Sequence, residues 1–205
     1  MLLTEYEFAQ PPVNVPFDEM PRAQARQHFN WFVTQIPERL DVLSRTLSAN
    51  GGETVCLDFS PESLERLGSW FDKHIESRPM SQDELAQENA VLPEWFIKLG
   101  DREDWILTDE TLSLCSDIGI YFGEVMRYQY PVLNWDYVKS GRKFIDYNRP
   151  VIAPIKGLIE RMCPQQVVVR LAMKCAEGGN AQELMRMRWE YWSNLMLAPE
   201  VLPGS

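Results

Sequence analysis

Asp117 and Glu124 stand seven residues apart in the run Ser116-Asp117-Ile118-Gly119-Ile120-Tyr121-Phe122-Gly123-Glu124, with Tyr121 between them. On a helix that spacing is two turns, so both carboxylates fall on nearly one face, about 10 Å apart along the axis. Two carboxylates on one face can divide acid and base roles or hold a metal, and the Tyr121 hydroxyl can donate to either. The separation is wide for one metal ion without further ligands, and no Glu-x-x-His segment supplies them. No metal, no cofactor and no catalytic residue are therefore expected. The competing arrangement neutralises the acids internally, with Glu124 partnered by an arginine or by the Trp135 indole so that helix is pinned to sheet, and this is the expected one. A ligand pocket, if the chain has one, falls between this helix and the sheet after it, lined by Asp117, Tyr121, Glu124, Trp135 and Asn148.

The rest of the chain offers little for catalysis. His28 and His74 are the only histidines and fall on different helices, which leaves almost no material for a histidine metal site or a Ser-His-Asp triad; each reads as a surface or cap residue. Gly51-Gly52 and Gly178-Gly179 lack the strand, spacing and lysine of a phosphate loop and read as helix ends. Arg142, Lys143 and Arg149 lie near Tyr137 and Tyr147, a superficial likeness to a base-stacking surface. Pairing of these cations with the acidic first half is the better expectation. Cys56, Cys115, Cys163 and Cys175 are dispersed in apolar surroundings, as buried free thiols are.

Charge narrows the partners. The net charge is −10, divided between −14 for residues 1–124 and +4 for residues 125–205. Such a field repels nucleic acid and favours a basic protein. Asp83, Glu84, Glu88, Asp101, Glu103 and Asp104 are the candidate contact acids, although a solvated acidic face is the commoner fate of such a group. The apolar runs are far short of the ~20 residues that span a bilayer, and the start lacks the pattern of a signal peptide, so a cytoplasmic protein without membrane contact is expected.

The elements follow from punctuation and period. Residues 1–20, with Pro11, Pro12 and Pro16, read as an extended arm whose Tyr6, Phe8, Val13, Val15 and Phe17 pack on the body. Residues 21–198 form one domain and residues 199–205 a flexible tail. A helix after Pro21 carries Phe29, Phe32, Val33, Ile36, Leu40, Leu43 and Leu47 on one face, with Pro37 expected to kink or divide it. A short β-prone run from Thr54 to Phe59 precedes Ser60-Pro61-Glu62, which opens a second helix extending to about Ile75. A polar excursion from Pro79 to Pro93 contains a short helix, and Trp95-Phe96-Ile97 re-anchors the chain. Thr108-Asp109-Glu110 starts the central helix, where Gly119 and Gly123 leave room for a close neighbour opposite the stripe of Leu114, Ile118, Tyr121, Phe122 and Val125. Residues 133–155 alternate as a small antiparallel sheet; Gln165–Ala176 and a last helix from Asn180 follow. The last helix is apolar almost all round, which suits deep burial or a homo-oligomer contact equally.

Four segments together resemble a widespread family of uncharacterised bacterial cytosolic proteins: Phe29-Asn30-Trp31-Phe32 with Ile36-Pro37-Glu38-Arg39; Leu57-Asp58-Phe59-Ser60-Pro61-Glu62-Ser63-Leu64; Asp117 through Glu124 with Trp135; and Asp146-Tyr147-Asn148-Arg149-Pro150-Val151. The resemblance implies a compact α+β domain and, more loosely, a small acidic immunity factor that neutralises a toxin. The fold expected is a mainly helical α+β domain with a small antiparallel sheet. It acts by binding a basic protein, or alternatively as a small-ligand binder or enzyme with a pocket between the central helix and the sheet.

Overall fold

Thr108 sets the start of the element around which the rest is arranged. Its hydroxyl accepts the Thr111 N–H at 3.3 Å, and Asp109 and Glu110 occupy the first turn, where acids oppose the helix dipole. In the computed structural model, which describes residues 3, 4, 6–93, 103–154 and 161–197, six α-helices and two two-stranded antiparallel sheets form a mainly helical α+β domain. The helices are α1 (Arg22–Ala49), α2 (Pro61–Phe71), α3 (Gln82–Val91), α4 (Asp109–Gln129), α5 (Pro164–Ala176) and α6 (Ala181–Leu197). The strands are β1 (Ser77–Pro79), β2 (Trp105–Leu107), β3 (Leu133–Tyr137) and β4 (Pro150–Pro154).

Helix α4 is buried on nearly every side because two kinds of surface meet it. Its apolar stripe, with Leu114, Ile118, Tyr121, Phe122 and Val125 all fully buried, belongs to the main core together with Phe32, Leu43 and Leu47 of α1. Its glycines admit neighbours that any side chain would exclude. A Cβ on Gly119 would lie 2.6 Å from the Gln165 Cα of α5, and one on Gly123 would lie 2.4 Å from the Trp135 ring of β3. The close approach anticipated at these two glycines is present.

Helix α1 runs unbroken through Pro37. Pro37 and Val33, which stands one turn before it, are on the solvent side, so the carbonyl that proline leaves without an amide partner faces water rather than the core. Helix α2 begins at a Ser60 cap with Pro61 in its first turn, as expected, but ends at Phe71 and passes into a 3-10 turn at Asp72–His74. Its Gly68 packs against the start of α6, where a Cβ would stand 2.8 Å from the Ala181 carbonyl oxygen.

Two expectations are corrected and one sheet is added. Thr54–Phe59 is not a strand; Phe59 sits at φ 59°, a left-handed conformation incompatible with one. The excursion that begins at Pro79 leaves from β1, which pairs with β2 in the register Arg78↔Ile106, a sheet that periodicity over three residues cannot announce. Phe8 and Val15 of the arm, expected on the body, are 46% and 36% exposed, whereas Val13 and Phe17 pack with Met20, Ala25 and Tyr137. The anticipated sheet after α4 is β3 paired with β4, Trp135 opposite Ile152. Trp95, Phe96, Ile97, Asp101 and the 199–205 tail lie outside the described residues. Helix α6 buries Met185 and Met196 completely and stacks Trp189 on Tyr130 at 5.7 Å, leaving Met187 and Tyr191 about half exposed.

Candidate ligand-binding cleft

Arg39 occupies a position on α1 that its neighbours Ile36 and Leu43 mark as core-facing, and it is only 5% exposed. A guanidinium there requires a partner, since an unpaired buried charge is severely unfavourable. Asp117 of α4, 1% exposed, supplies it as a two-bond fork: Nε donates to Oδ1 at 2.8 Å and Nη2 to Oδ2 at 2.6 Å. Tyr6, reaching in from the arm, donates its hydroxyl to Oδ2 at 2.8 Å. Burial, the largest influence on Asp117, pushes its carboxyl up, against the Arg39 and Tyr6 bonds that favour the ionised form. Burial also opposes the Arg39 charge, but the Asp117 bonds outweigh it and raise the guanidinium. The Tyr6 phenol is raised far above its ordinary range, by burial first and then by Asp117. The result is a charged fork that fixes one edge of Arg39 and engages both oxygens of Asp117.

This fork forms part of a cleft of about 360 Å³ between the arm, α1, α4 and α5. Its apolar lining comes from Tyr6, Phe17, Trp31 and Phe32, and its polar lining from His28, Gln35, Arg149 and Gln165 as well as Arg39. The His28 ring meets Phe17 edge-on at 5.0 Å and Trp31 at 5.4 Å; burial lowers its pKa, and its buried Nδ1 has no hydrogen-bond partner among the described residues. Gln165 is oriented by donating to the Ser116 hydroxyl at 2.6 Å. The arm that roofs the cleft is fastened at both ends. Thr4 and Asn50 exchange two bonds of 3.0 and 3.1 Å, while the Asn148 amide nitrogen donates to the Phe17 and Met20 carbonyls at 2.8 and 2.9 Å.

The five residues expected around one pocket are distributed differently. Asp117 alone among them lines this cleft. Tyr121 accepts the Phe59 N–H at 3.0 Å and bonds Ser63 Oγ at 2.6 Å; because the Ser63 hydroxyl proton goes to the Ser60 carbonyl, Tyr121 is the donor. Glu124 takes both expected partners, the Trp135 indole N–H at 2.6 Å and Arg127 at 2.8 Å, so the helix is pinned to β3. Asn148, 2% exposed and at φ 63°, serves as the clasp of the arm. Comparison with protein-family models, with curated proteins and with solved structures returns no match.

Among the candidate contact acids, Glu84 is held in a two-bond pair by Arg78 and completes the Ser81 capping box, and its pKa is lowered to about 2, by the Arg78 bonds first. Glu103 accepts the Trp105 indole N–H. Asp83, Glu103 and Asp104 are exposed and Glu88 is half-buried, while Asp101 lies outside the described residues. Of the basic residues after α4, Arg142 donates to the Asp18 carbonyl at 3.2 Å and Arg149 lies over the Phe17 ring at 4.8 Å, so both engage the arm. Among the described residues no group of His, Cys, Asp and Glu is placed to hold a metal, and no helix is long and apolar enough to cross a membrane.

The residues missed in the sequence are Tyr6, Trp31, Gln35 and Arg39. Arg39 carried a usable signal, a charge in register with an apolar stripe. Tyr6 was expected on the body as an arm residue, but nothing in the sequence names its partner, which is 111 residues away.

Proposed function

We propose that this protein binds a small molecule in the cleft beneath its N-terminal arm. The observation that carries the reading is the juxtaposition of a buried, internally paired carboxylate with a concave, partly polar space that aromatic side chains line. Glu124 is spent on Arg127 and Trp135, so the site belongs to the α1 side of α4 rather than to the sheet side. Retention of small molecules from a cell extract tests it: the protein is incubated with the extract, desalted, and its bound compounds identified by mass spectrometry. The folded wild type should retain a compound that Trp31→Ala, with its helical circular dichroism intact, releases. Equal retention by both, or none by either, contradicts the reading.

The acidic first half favours a second reading, a binding domain for a basic protein and, at its most specific, an immunity-type factor that covers a basic toxin. Asp83, Glu103 and Asp104 are the exposed acids available for it. Pull-down from native extract at low salt should recover a basic protein that a triple Asn/Gln variant at these positions loses. Recovery of nothing would count against this reading and leave the cleft untouched.

A further inference from the structure

We propose that the ligand of the cleft is a small organic anion with a planar apolar body, its carboxylate recognised by Arg149 and by the open edge of Arg39. The inference rests on the small-molecule reading above and specifies its chemical class.

Charge inside the cleft is opposite to that of the chain. Two guanidinium groups and one carboxylate line it, and the carboxylate is already satisfied: Asp117 Oδ1 accepts from Arg39 Nε, and Oδ2 from Arg39 Nη2 and Tyr6. Arg39 Nη1 makes no hydrogen bond among the described residues. Among the described residues Arg149 hydrogen-bonds only through its Nε, donating to the Ile145 carbonyl at 3.2 Å, and Phe17 stacks under its guanidinium at 4.8 Å. Its two terminal nitrogens are therefore uncommitted while the group itself is held in place, which is how arginine recognises a carboxylate with both directionality and little loss of freedom.

A cation finds the reverse. The net charge of −10 draws it to the surface, but both oxygens of the one carboxylate that lines the cleft are already engaged by Arg39 and Tyr6. The walls select the remainder of the ligand. Trp31, Phe32 and Phe17 present ring surfaces, and a space of about 360 Å³ suits a compound of one or two fused rings. The first turn of α5, through Gln165 and Gln166, opens on the same space with the positive end of its dipole.

Titration calorimetry with indole-3-carboxylate, indole-3-carboxamide and indol-3-ylmethylamine separates the possibilities, because the three share a ring system and differ in charge. The carboxylate should bind about tenfold or more tightly than the amide, the difference of one charge-assisted contact, and the amine most weakly. Arg149→Gln should cut the preference for the carboxylate over the amide severalfold, Arg39 keeping the remainder; a preference equal to that of the wild type overturns the role of Arg149. If that variant does not fold, added salt makes the same distinction in the wild type, weakening the carboxylate and sparing the amide. An amide or amine that binds as well as the carboxylate overturns the proposed class while leaving the cleft a binding site. Absence of binding by all three overturns the class as well, and the extract-retention result then decides whether the cleft binds anything.

Discussion

Replacing Asp117 with asparagine leaves the Arg39 guanidinium buried without its counter-charge. The expected loss is about 3–5 kcal/mol of folding stability, the range for breaking a buried pair by removing one partner. Tyr6→Phe removes a single hydrogen bond to the same carboxylate and should lose only about 1–2 kcal/mol. Urea unfolding of the two variants measures both, and equal losses would mean that Arg39 is not confined as described. His28 gives a pH prediction. Its pKa is lowered in the folded protein by burial, so the unfolded chain takes up the proton first. The stability conferred by keeping the ring neutral is whole above the ordinary histidine value near 6.5 and is lost as pH falls below it. His28→Asn should therefore flatten the decline of the melting temperature just below pH 6.5, above the range where carboxylates titrate; an unchanged decline would contradict it. These interactions differ in how openly the sequence declares them. For Glu124 the kind of partner could be anticipated, an arginine or the Trp135 indole, because Arg127 is one turn away and Trp135 follows the helix closely. The Asp117 partner lies 78 residues off, and only the charge of Arg39 within an apolar stripe hints at it.

Helices were legible where caps and period agreed, as at Ser60-Pro61 and Thr108-Asp109-Glu110, and strands were not where three residues carry the pairing. The arm shows the same limit. Its prolines announce that it is not a helix, but not that Asn148 fastens its far end. Asn148→Ala should release it: amide hydrogen exchange in residues 6–20 should accelerate, with the β3–β4 ladder still protected. Exchange unchanged in the arm would show that the two amide bonds are dispensable. Gly123→Ala tests the packing between α4 and β3. A Cβ there would stand 2.4 Å from the Trp135 ring, so the indole must move, and a loss of about 1–3 kcal/mol is expected together with a shift in tryptophan emission as the Glu124 bond lengthens. An emission spectrum identical to wild type would contradict that contact.

For the chain taken together, charge counting foretold an acidic exterior, and it could not foretell that a cleft of the opposite charge lies under the arm, because that cleft is assembled from residues 6 to 169 of the sequence. The free thiols were expected to be buried, yet only Cys115 and Cys163 are; Cys56 is exposed and Cys175 half-buried, with burial raising the Cys163 and Cys175 thiols to about 11 and 12. A thiol reagent should accordingly label Cys56 rapidly in the native state, Cys175 slowly, and Cys115 and Cys163 only after unfolding. The exposed Met187 and Tyr191 of α6 are the place where self-association would register, and a sedimentation measurement that changes with Met187→Glu would locate it there. The most direct trial of the binding reading is a chemical-shift map of isotope-labelled protein titrated with a library of small fragments. Perturbations should concentrate on Trp31, Gln35, Arg149 and the arm from Tyr6 to Phe17. Perturbations confined to the opposite side of α4, around Glu124 and Trp135, would contradict it.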